Sequence, residues 1–377
     1  MSTRTTTSKT QGKPAAARPV APPRFLVHGI DTIQCAYYLL PEGEKRIDFV
    51  ELRALRESLR DVRDPEPKPI PVGDMEFLLA PHGSRSGYPL VLSNRDFRIE
   101  CGEFNVPSFY VTYSSEALWR NTAQVLHQRF LAWAEGVGYV PARTETLSRV
   151  DLCFDYLLPE MDFDEDSFVS VAQKDSQHRS NGSVQTFTFG RDDVVLRVYD
   201  KVAEIREQSG KAWMFAIWGE DHDVWRIEWQ ARKNVLRRFG IRTFGNLNDQ
   251  AGDLLRYLAT EHDRLCVKAA DRNRARWPLH PLWRDLQKQI ERFNAQGVYR
   301  VVDPKSAIEE RAVRIGISVY GNLKQLAALR CVQQDEERMS HEEAQEELQA
   351  LMRQVHDPFS WDAGVSKRIK FIRLGHD

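Results

Sequence analysis

The sequence contains no run of eighteen apolar residues, so no stretch of it is long enough to cross a bilayer as a helix. Its opening residues carry no apolar core of the secretory kind. The five cysteines, Cys35, Cys101, Cys153, Cys266 and Cys331, are far apart, and none belongs to a Cys-x-x-Cys pair. That speaks against a thiolate zinc site and fits free thiols in a reducing compartment, so a cytoplasmic protein is expected. A Gly-x-x-x-x-Gly-Lys-Ser/Thr loop is missing, which excludes a P-loop motor, and so is the Gly-x-Ser-x-Gly elbow of serine hydrolases. His178, His222, His262 and His280 stand alone in polar surroundings and read as surface residues rather than ligands. Net charge is nearly absent as well: at −1 the chain does not as a whole look like a phosphate binder.

What charge there is lies unevenly. The opening MSTRTTTSKTQGKPAAARPVAPPR has five cations and no acid. Rich in Thr, Ala and Pro, it cannot bury enough apolar surface to fold, and 1–24 is expected to be a disordered basic arm. Residues 226–243 carry Arg226, Arg232, Lys233, Arg237, Arg238 and Arg242, and 264–292 are dense in arginine. Acid gathers instead in 159–166 and 335–347.

Hydrophobic spacing divides the remainder. FLVHGIDTIQCAYYLL (25–40) predicts a strand or strand pair, 48–64 a helix, and 76–113 several short strands. Residues 114–138 predict one long amphipathic helix, capped by Ser114 or Ser115 and stopped at Gly136 or Gly138. A second block repeats this order. SRVDLCFDYLL is a strand and 162–174 a helix. SVQTFTFG and VVLRVYD are strands joined by GRDD. KVAEIREQSG is a helix, and VWRIEWQARK a strand running into NVLRRFGI. Strands followed by helices, twice over, predict an α+β domain across 25–245. It would have antiparallel sheets, helices packed on one face and two similar halves. From 246 the pattern turns helical. Residues 246–332 are expected to be a helical region with a DNA-binding role, and 333–377 a charged helix with the basic tail SKRIKFIR. Within 307–330 the spacing suits a helix–turn–helix with Gly316 in the turn, or an ordinary helical hairpin. DRNRARWPLHPLW (271–283) interleaves Arg274 and Arg276 with Trp277. That suits single-stranded DNA, or equally a loop packing its tryptophans on the domain.

Alternation along three strands of the second block sorts their side chains. Val150, Leu152, Phe154 and Tyr156 share one face, and Arg149, Asp151, Cys153 and Asp155 the other. Arg197 and Tyr199 oppose Val194, Leu196 and Val198, while Arg226, Glu228 and Gln230 oppose Trp225, Ile227 and Trp229. Side by side, these strands would present carboxylates suited to a hard divalent cation, guanidinium groups suited to phosphate, and a tyrosine. A plain solvated sheet face is the competing reading.

The ordered series SRVDLCFD, TFTFG, LRVYDKVAEI and VWRIEWQARKNVLRRFGI resembles the signature blocks of the Rep_trans replication initiators. These are the rolling-circle initiators of plasmids and phages and the related relaxases of conjugative elements. The resemblance covers about 145–245 well and 25–145 loosely. It implies a protein that binds origin DNA, single- or double-stranded, and nicks and rejoins one strand by tyrosine transesterification. A divalent metal, Mg²⁺ or Mn²⁺, would be held by Asp151, Asp155 and Glu228, with Asp200 and Glu204 as weaker candidates. Arg197 and Lys201 would contact the reacting phosphate. Arg226, Arg232, Lys233, Arg237, Arg238, Arg274 and Arg276 would hold the DNA. The partners implied are a host helicase and a second copy of the chain in a homodimer. The sequence departs from the family at the nucleophile: Thr188 stands where the family has tyrosine, in Thr188-Phe189-Gly190-Arg191. Tyr199 is then the nearest substitute on the polar face. The rivals are a DNA-binding relative that has lost the nucleophile, a conjugative relaxase, and a metal-dependent nuclease that uses water.

Overall fold

The computed structural model describes residues 22–43, 47–61, 63–180, 183–294 and 304–373, so all but the end of the expected arm lies outside the described residues. The chain divides into two compact units, Met1–Val301 and Val302–Asp377.

The first unit is α+β. Its first half runs β1 (Arg24–Pro41), α1 (Phe49–Arg60), β2 (Lys68–Val72), β3 (Met75–Leu79), β4 (Leu90–Ser93), β5 (Phe97–Cys101), β6 (Phe109–Tyr113), α2 (Ser115–Arg120) and α3 (Ala123–Gly136). The second half runs β7 (Tyr139–Leu157), β8 (Phe168–Ser170), β9 (Asp175–Ser180), β10 (Ser183–Phe189), β11 (Val194–Asp200), α4 (Lys201–Glu204), α5 (Trp213–Trp218), β12 (Val224–Arg232), α6 (Lys233–Arg238) and α7 (Phe244–Tyr257). After these come β13 (Asp263–Leu265) and α8 (Pro281–Ile290). Among the described residues, eleven strands form one sheet in the order β2-β3-β4-β5-β6-β1-β7-β12-β11-β10-β9. Its neighbouring strands pair antiparallel.

That order carries the expected duplication. Each half opens on a long central strand, β1 or β7, and its later strands return from the sheet edge to pair with it. Each half then closes with a pair of helices, α2–α3 or α6–α7. The seam between halves is the β1–β7 pair itself.

One face of the sheet is apolar, as alternation requires. Ile33, Cys35 and Tyr37 of β1, Leu152, Phe154 and Tyr156 of β7, and Ile227 and Trp229 of β12 share one core with Phe130 and Trp133 of α3, Leu254 of α7 and Trp283 of α8. Burying an aromatic or leucine side chain in this way contributes about 1.5–3 kcal/mol. A smaller apolar cluster forms on the opposite face, where Val202, Ile205, Met214 and Trp218 pack with Val224 and Trp119.

The 25–40 segment is a strand, the first of its two expected forms. Other sequence expectations need correction. The single helix over 114–138 is two: Ser114 caps the first, and Thr122, whose hydroxyl accepts from Val125 N–H, caps the second. A hydroxyl able to restart a helix lies inside the amphipathic run, which hides the break. Residues 162–174 hold a single 3-10 turn at Glu165–Ser167 and the strand β8 in place of a helix. Aromatic packing explains this, because Phe163 and Phe168 meet each other and Phe187.

The second unit is helical: α9 (Pro304–Gln334), α10 (His341–Val355) and α11 (Pro358–Arg373). The 307–330 segment is neither a helix–turn–helix nor a hairpin, since α9 runs unbroken through Gly316. Each of its two glycines, Gly316 and Gly321, costs a helix only about 1 kcal/mol, too little to end one of 31 residues. Among the described residues no helix is long and apolar enough to cross a membrane.

Candidate functional site

Strands β7, β12 and β11 lie side by side, with Asp151 opposite Gln230, Asp155 opposite Arg226, and Glu228 opposite Arg197. The predicted polar face is therefore assembled, and it sorts into a buried layer and a cavity.

In the buried layer, Arg226 is fully enclosed. Its Nε and Nη2 donate to the two oxygens of Asp155 at 2.6 and 2.8 Å, and its Nη1 donates to Asp31 Oδ1 at 2.7 Å. Trp218 Nε1 donates to Asp155 Oδ2 at 2.8 Å. The Trp119 ring lies 5.6 Å from the guanidinium. It fits there because residue 29 is glycine: a Cβ on Gly29 would sit 2.7 Å from that ring. Two expectations change here. Arg226 is not a DNA-facing cation, and Asp155 offers no free oxygen to a metal. Both are consumed in a bidentate pair inside the fold.

Above this layer opens a cavity of about 310 Å³, framed by Asp31, Arg149, Asp151, Arg197, Tyr199 and Lys201. Tyr199 Oη donates to Glu228 Oε2 at 2.9 Å, and Lys201 Nζ lies 3.4 Å from the same hydroxyl. Arg197 donates to Glu228 Oε1 and Gln230 Oε1, at 3.3 and 3.4 Å. Arg149 holds Asp151 through two hydrogen bonds, one of them 2.8 Å. Lys201 is paired with Glu204 at 2.6 Å, and Lys211 with Asp31 at 3.2 Å. His178, opposite Thr186 on the neighbouring strand, reaches the cavity rim.

Burial and neighbouring charge set the proton affinities. Burial, reinforced by the Glu228 carboxylate, pushes the Tyr199 phenol well above its usual range. Burial also raises Glu228, and Asp31 and Asp151 add to the rise against Arg226 and Arg197. Asp151 rises because burial outweighs Arg149. Burial would raise Asp31 too, but Arg226, Lys211 and Lys201 together hold it well below the usual carboxylate range. A neutral phenol donating to a carboxylate of raised proton affinity is a hydroxyl paired with its base.

The carboxylates named for a metal do not form a donor set. Among the described residues no three His, Cys, Asp or Glu side chains group as a metal site. Asp155 is held by Arg226 and Trp218, Asp151 by Arg149, and Glu228 by Arg197 and Tyr199. Of the weaker candidates, Asp200 caps α4 by accepting from Ala203 N–H, and Glu204 is tied to Lys201. Donors committed this way do not fit a divalent cation as placed.

The remaining expected residues are scattered. Arg232, Lys233 and Arg238 are exposed at the end of β12 and on α6, and Arg237 is half-buried on α6. Arg274 binds the main-chain carbonyls of Asp166 and Phe168, fastening its loop to the region of β8. Arg276 lies exposed beside Asp271, and Trp277 Nε1 donates to the Asp271 carbonyl. The 271–283 segment is thus a loop fastened to itself and to the region of β8, running into α8, where Trp283 is buried in the core. Thr188 faces the same side as Arg197, its partner on β11. Tyr156 belongs to the core, donating to Asp285 at 3.0 Å.

Sequence reading missed Asp31, Lys211 and Trp218. Asp31 is the extra residue of a β-bulge, since Ile30 pairs with Leu152 and Thr32 with Asp151. A bulge reverses the alternation and re-aims one side chain, which single-strand periodicity cannot reveal. Lys211 and Trp218 sit in the insertion between β11 and β12, which carries no strand pattern.

No family model matches the sequence, and no curated protein matches it. Among solved structures, the chain is similar to a rolling circle replication initiator protein from Geobacillus stearothermophilus, at 17% identity and a TM-score of 0.41, over 72% of this chain and 98% of that one.

Proposed function

We propose that the protein is a replication initiator that binds single-stranded origin DNA and cuts and rejoins it through Tyr199. The supporting observation is the 2.9 Å hydrogen bond from Tyr199 to Glu228 inside a cavity framed by Arg149, Arg197 and Lys201. A phenol held neutral by burial attacks only if its proton has somewhere to go, and Glu228 is in contact to take it. Tyr199 Oη forms the new bond to phosphorus and gives its proton to Glu228. The P–O bond on the far side breaks, the leaving oxygen takes a proton from solvent, and Glu228 gives its own up to solvent. The result is a tyrosyl phosphodiester and a free hydroxyl end. Reversal reseals the strand, since one phosphodiester has been exchanged for another. Lys201 and the Arg149 and Arg197 guanidinium groups balance charge on the phosphate.

Thr188 favours a second reading, because the position that resembles the family's nucleophile holds a hydroxyl of much higher pKa on the same face. On that reading the protein binds origin DNA without cutting it.

The two separate on a denaturing gel. Labelled single strands from the replicon's origin are incubated with protein in Mg²⁺, Mn²⁺ or EDTA. The proposal expects a covalent adduct that is lost in Tyr199→Phe and strongly reduced in Glu228→Gln. Binding without cleavage under every condition selects the second reading. Cut strands without an adduct point to a nuclease that uses water.

A further inference from the structure

We infer a second nucleotide subsite beside the first: a cavity of about 440 Å³ that takes a neighbouring nucleotide of the same strand, its phosphate held by Arg149, Arg232 and Lys233. This rests on the reading of the first cavity as a single-strand site and extends it.

The strand register places the two cavities on one face. Moving two residues along β1 leads from Thr32 in the first cavity to Gln34 in the second. On β7 the same step leads from Asp151 to Arg149, and on β12 two such steps lead from Glu228 to Arg232. Each is a step of two, which keeps the side chain on the same side of the sheet. Arg149 lines both cavities and joins them. From Glu228 to Arg232 is four strand residues, about 13 Å, so the second cavity receives a different nucleotide from the one being cut.

Its chemistry suits a phosphate with polar contacts beside it. Three cations line it against one acid, Asp193, and that carboxylate already accepts from Asn234 Nδ2 at 2.9 Å. The opposite wall is a fixed polar rim: Tyr110 Oη lies 2.7 Å from Ser148 Oγ and 3.1 Å from Gln34 Oε1. Ser148 reaches this position through a second bulge, because Gln34 pairs with Arg149 and Cys35 with Leu147. Both cavities therefore carry a bulge residue of the β1–β7 seam, Asp31 in one and Ser148 in the other. Tyr110 on β6 and Gln34 on β1 come from the first half of the duplicated fold, and Ser148 on β7 and the cations from the second. A strand lying here crosses the seam between halves.

The test uses the full chain carrying Tyr199→Phe, so that binding is read without cleavage. Fluorescence anisotropy with a long labelled oligothymidylate gives the dependence of log affinity on log salt. Replacing Arg232 and Lys233 together by serine removes two phosphate contacts. It is expected to flatten the slope by about 1.4, at about 0.7 per contact on a single strand. A control with Arg129→Ser and Lys288→Ser removes two exposed cations from α3 and α8, the helices on the apolar face, and should leave the slope unchanged. An unaltered thermal midpoint shows that each variant is folded. If the Arg232/Lys233 variant keeps the parent slope, or if the control flattens it equally, the second subsite is wrong while the first cavity stands. If the parent binds no single strand at all, the proposed function fails and takes the subsite with it.

Discussion

Replacing Arg226 by methionine isolates what holds the centre of the polar face together. The guanidinium makes three hydrogen bonds, two to Asp155 and one to Asp31, and both arginine and Asp155 side chains are wholly shielded from water. Methionine fills much of the volume but leaves Asp155 as a buried carboxylate with only Trp218 to donate to it. Asp31 retains Lys211 and Ser115. Removing one partner of a buried pair costs about 3–5 kcal/mol, mostly the penalty of stranding the other charge. With a urea slope of about 2–3 kcal/mol per molar, the midpoint should fall by roughly 1–2.5 M. Tryptophan fluorescence reports it, since eight of the nine tryptophans lie in the first compact unit and only Trp361 in the second. Adding Asp155→Leu to Arg226→Met removes the stranded charge and should recover most of the loss. A single variant within about 1 kcal/mol of the parent would refute the buried-pair account. So would a double variant no more stable than the single one, because the cost would then lie in packing.

Three further outcomes follow from the geometry. Folded Glu228 binds its proton more tightly than its ordinary value of 4.5. Its contribution to stability is fully present below that value and is lost as pH rises through the raised one. Unfolding measured across pH should therefore show the parent losing stability relative to Glu228→Gln over that window, and a flat difference would contradict the raised affinity. Lys201→Met should slow adduct formation about 100-fold, the effect of losing one charge-stabilising donor, while oligonucleotide affinity measured in the same variant changes little. Gly190 closes the β10–β11 turn at φ +89°, where a Cβ would lie 2.3 Å from the Val194 carbonyl oxygen. Gly190→Ala should cost about 1–3 kcal/mol in urea unfolding.

Periodicity made the architecture readable. Alternation in 150–156, 194–199 and 225–230 placed the right residues on each face, and repetition of strand and helix order announced the two halves. Features that interrupt a pattern were not readable. Thr122 restarts a helix inside an uninterrupted amphipathic run, and Asp31 enters the site through a bulge that only pairing with β7 defines. Burial depth was hidden too. Alternation puts Asp155, Arg226, Asp151 and Arg197 on one face, but only the insertion carrying Trp218, with Trp119 packed over Gly29, decides that the first two are sealed in. At 271–283 composition suited a DNA contact and a loop packed on the domain equally, and only the main-chain bonds of Arg274 and Trp277 show how the loop is held.

The central claim is that Tyr199 forms the bond to DNA. Protein incubated with an origin single strand is digested with nuclease and protease, and the peptides are mapped by mass spectrometry. The account predicts a nucleotide phosphate on the peptide containing Tyr199 and none on that peptide from Tyr199→Phe. A nucleotide on any other tyrosine, with Tyr199 unmodified, would contradict it.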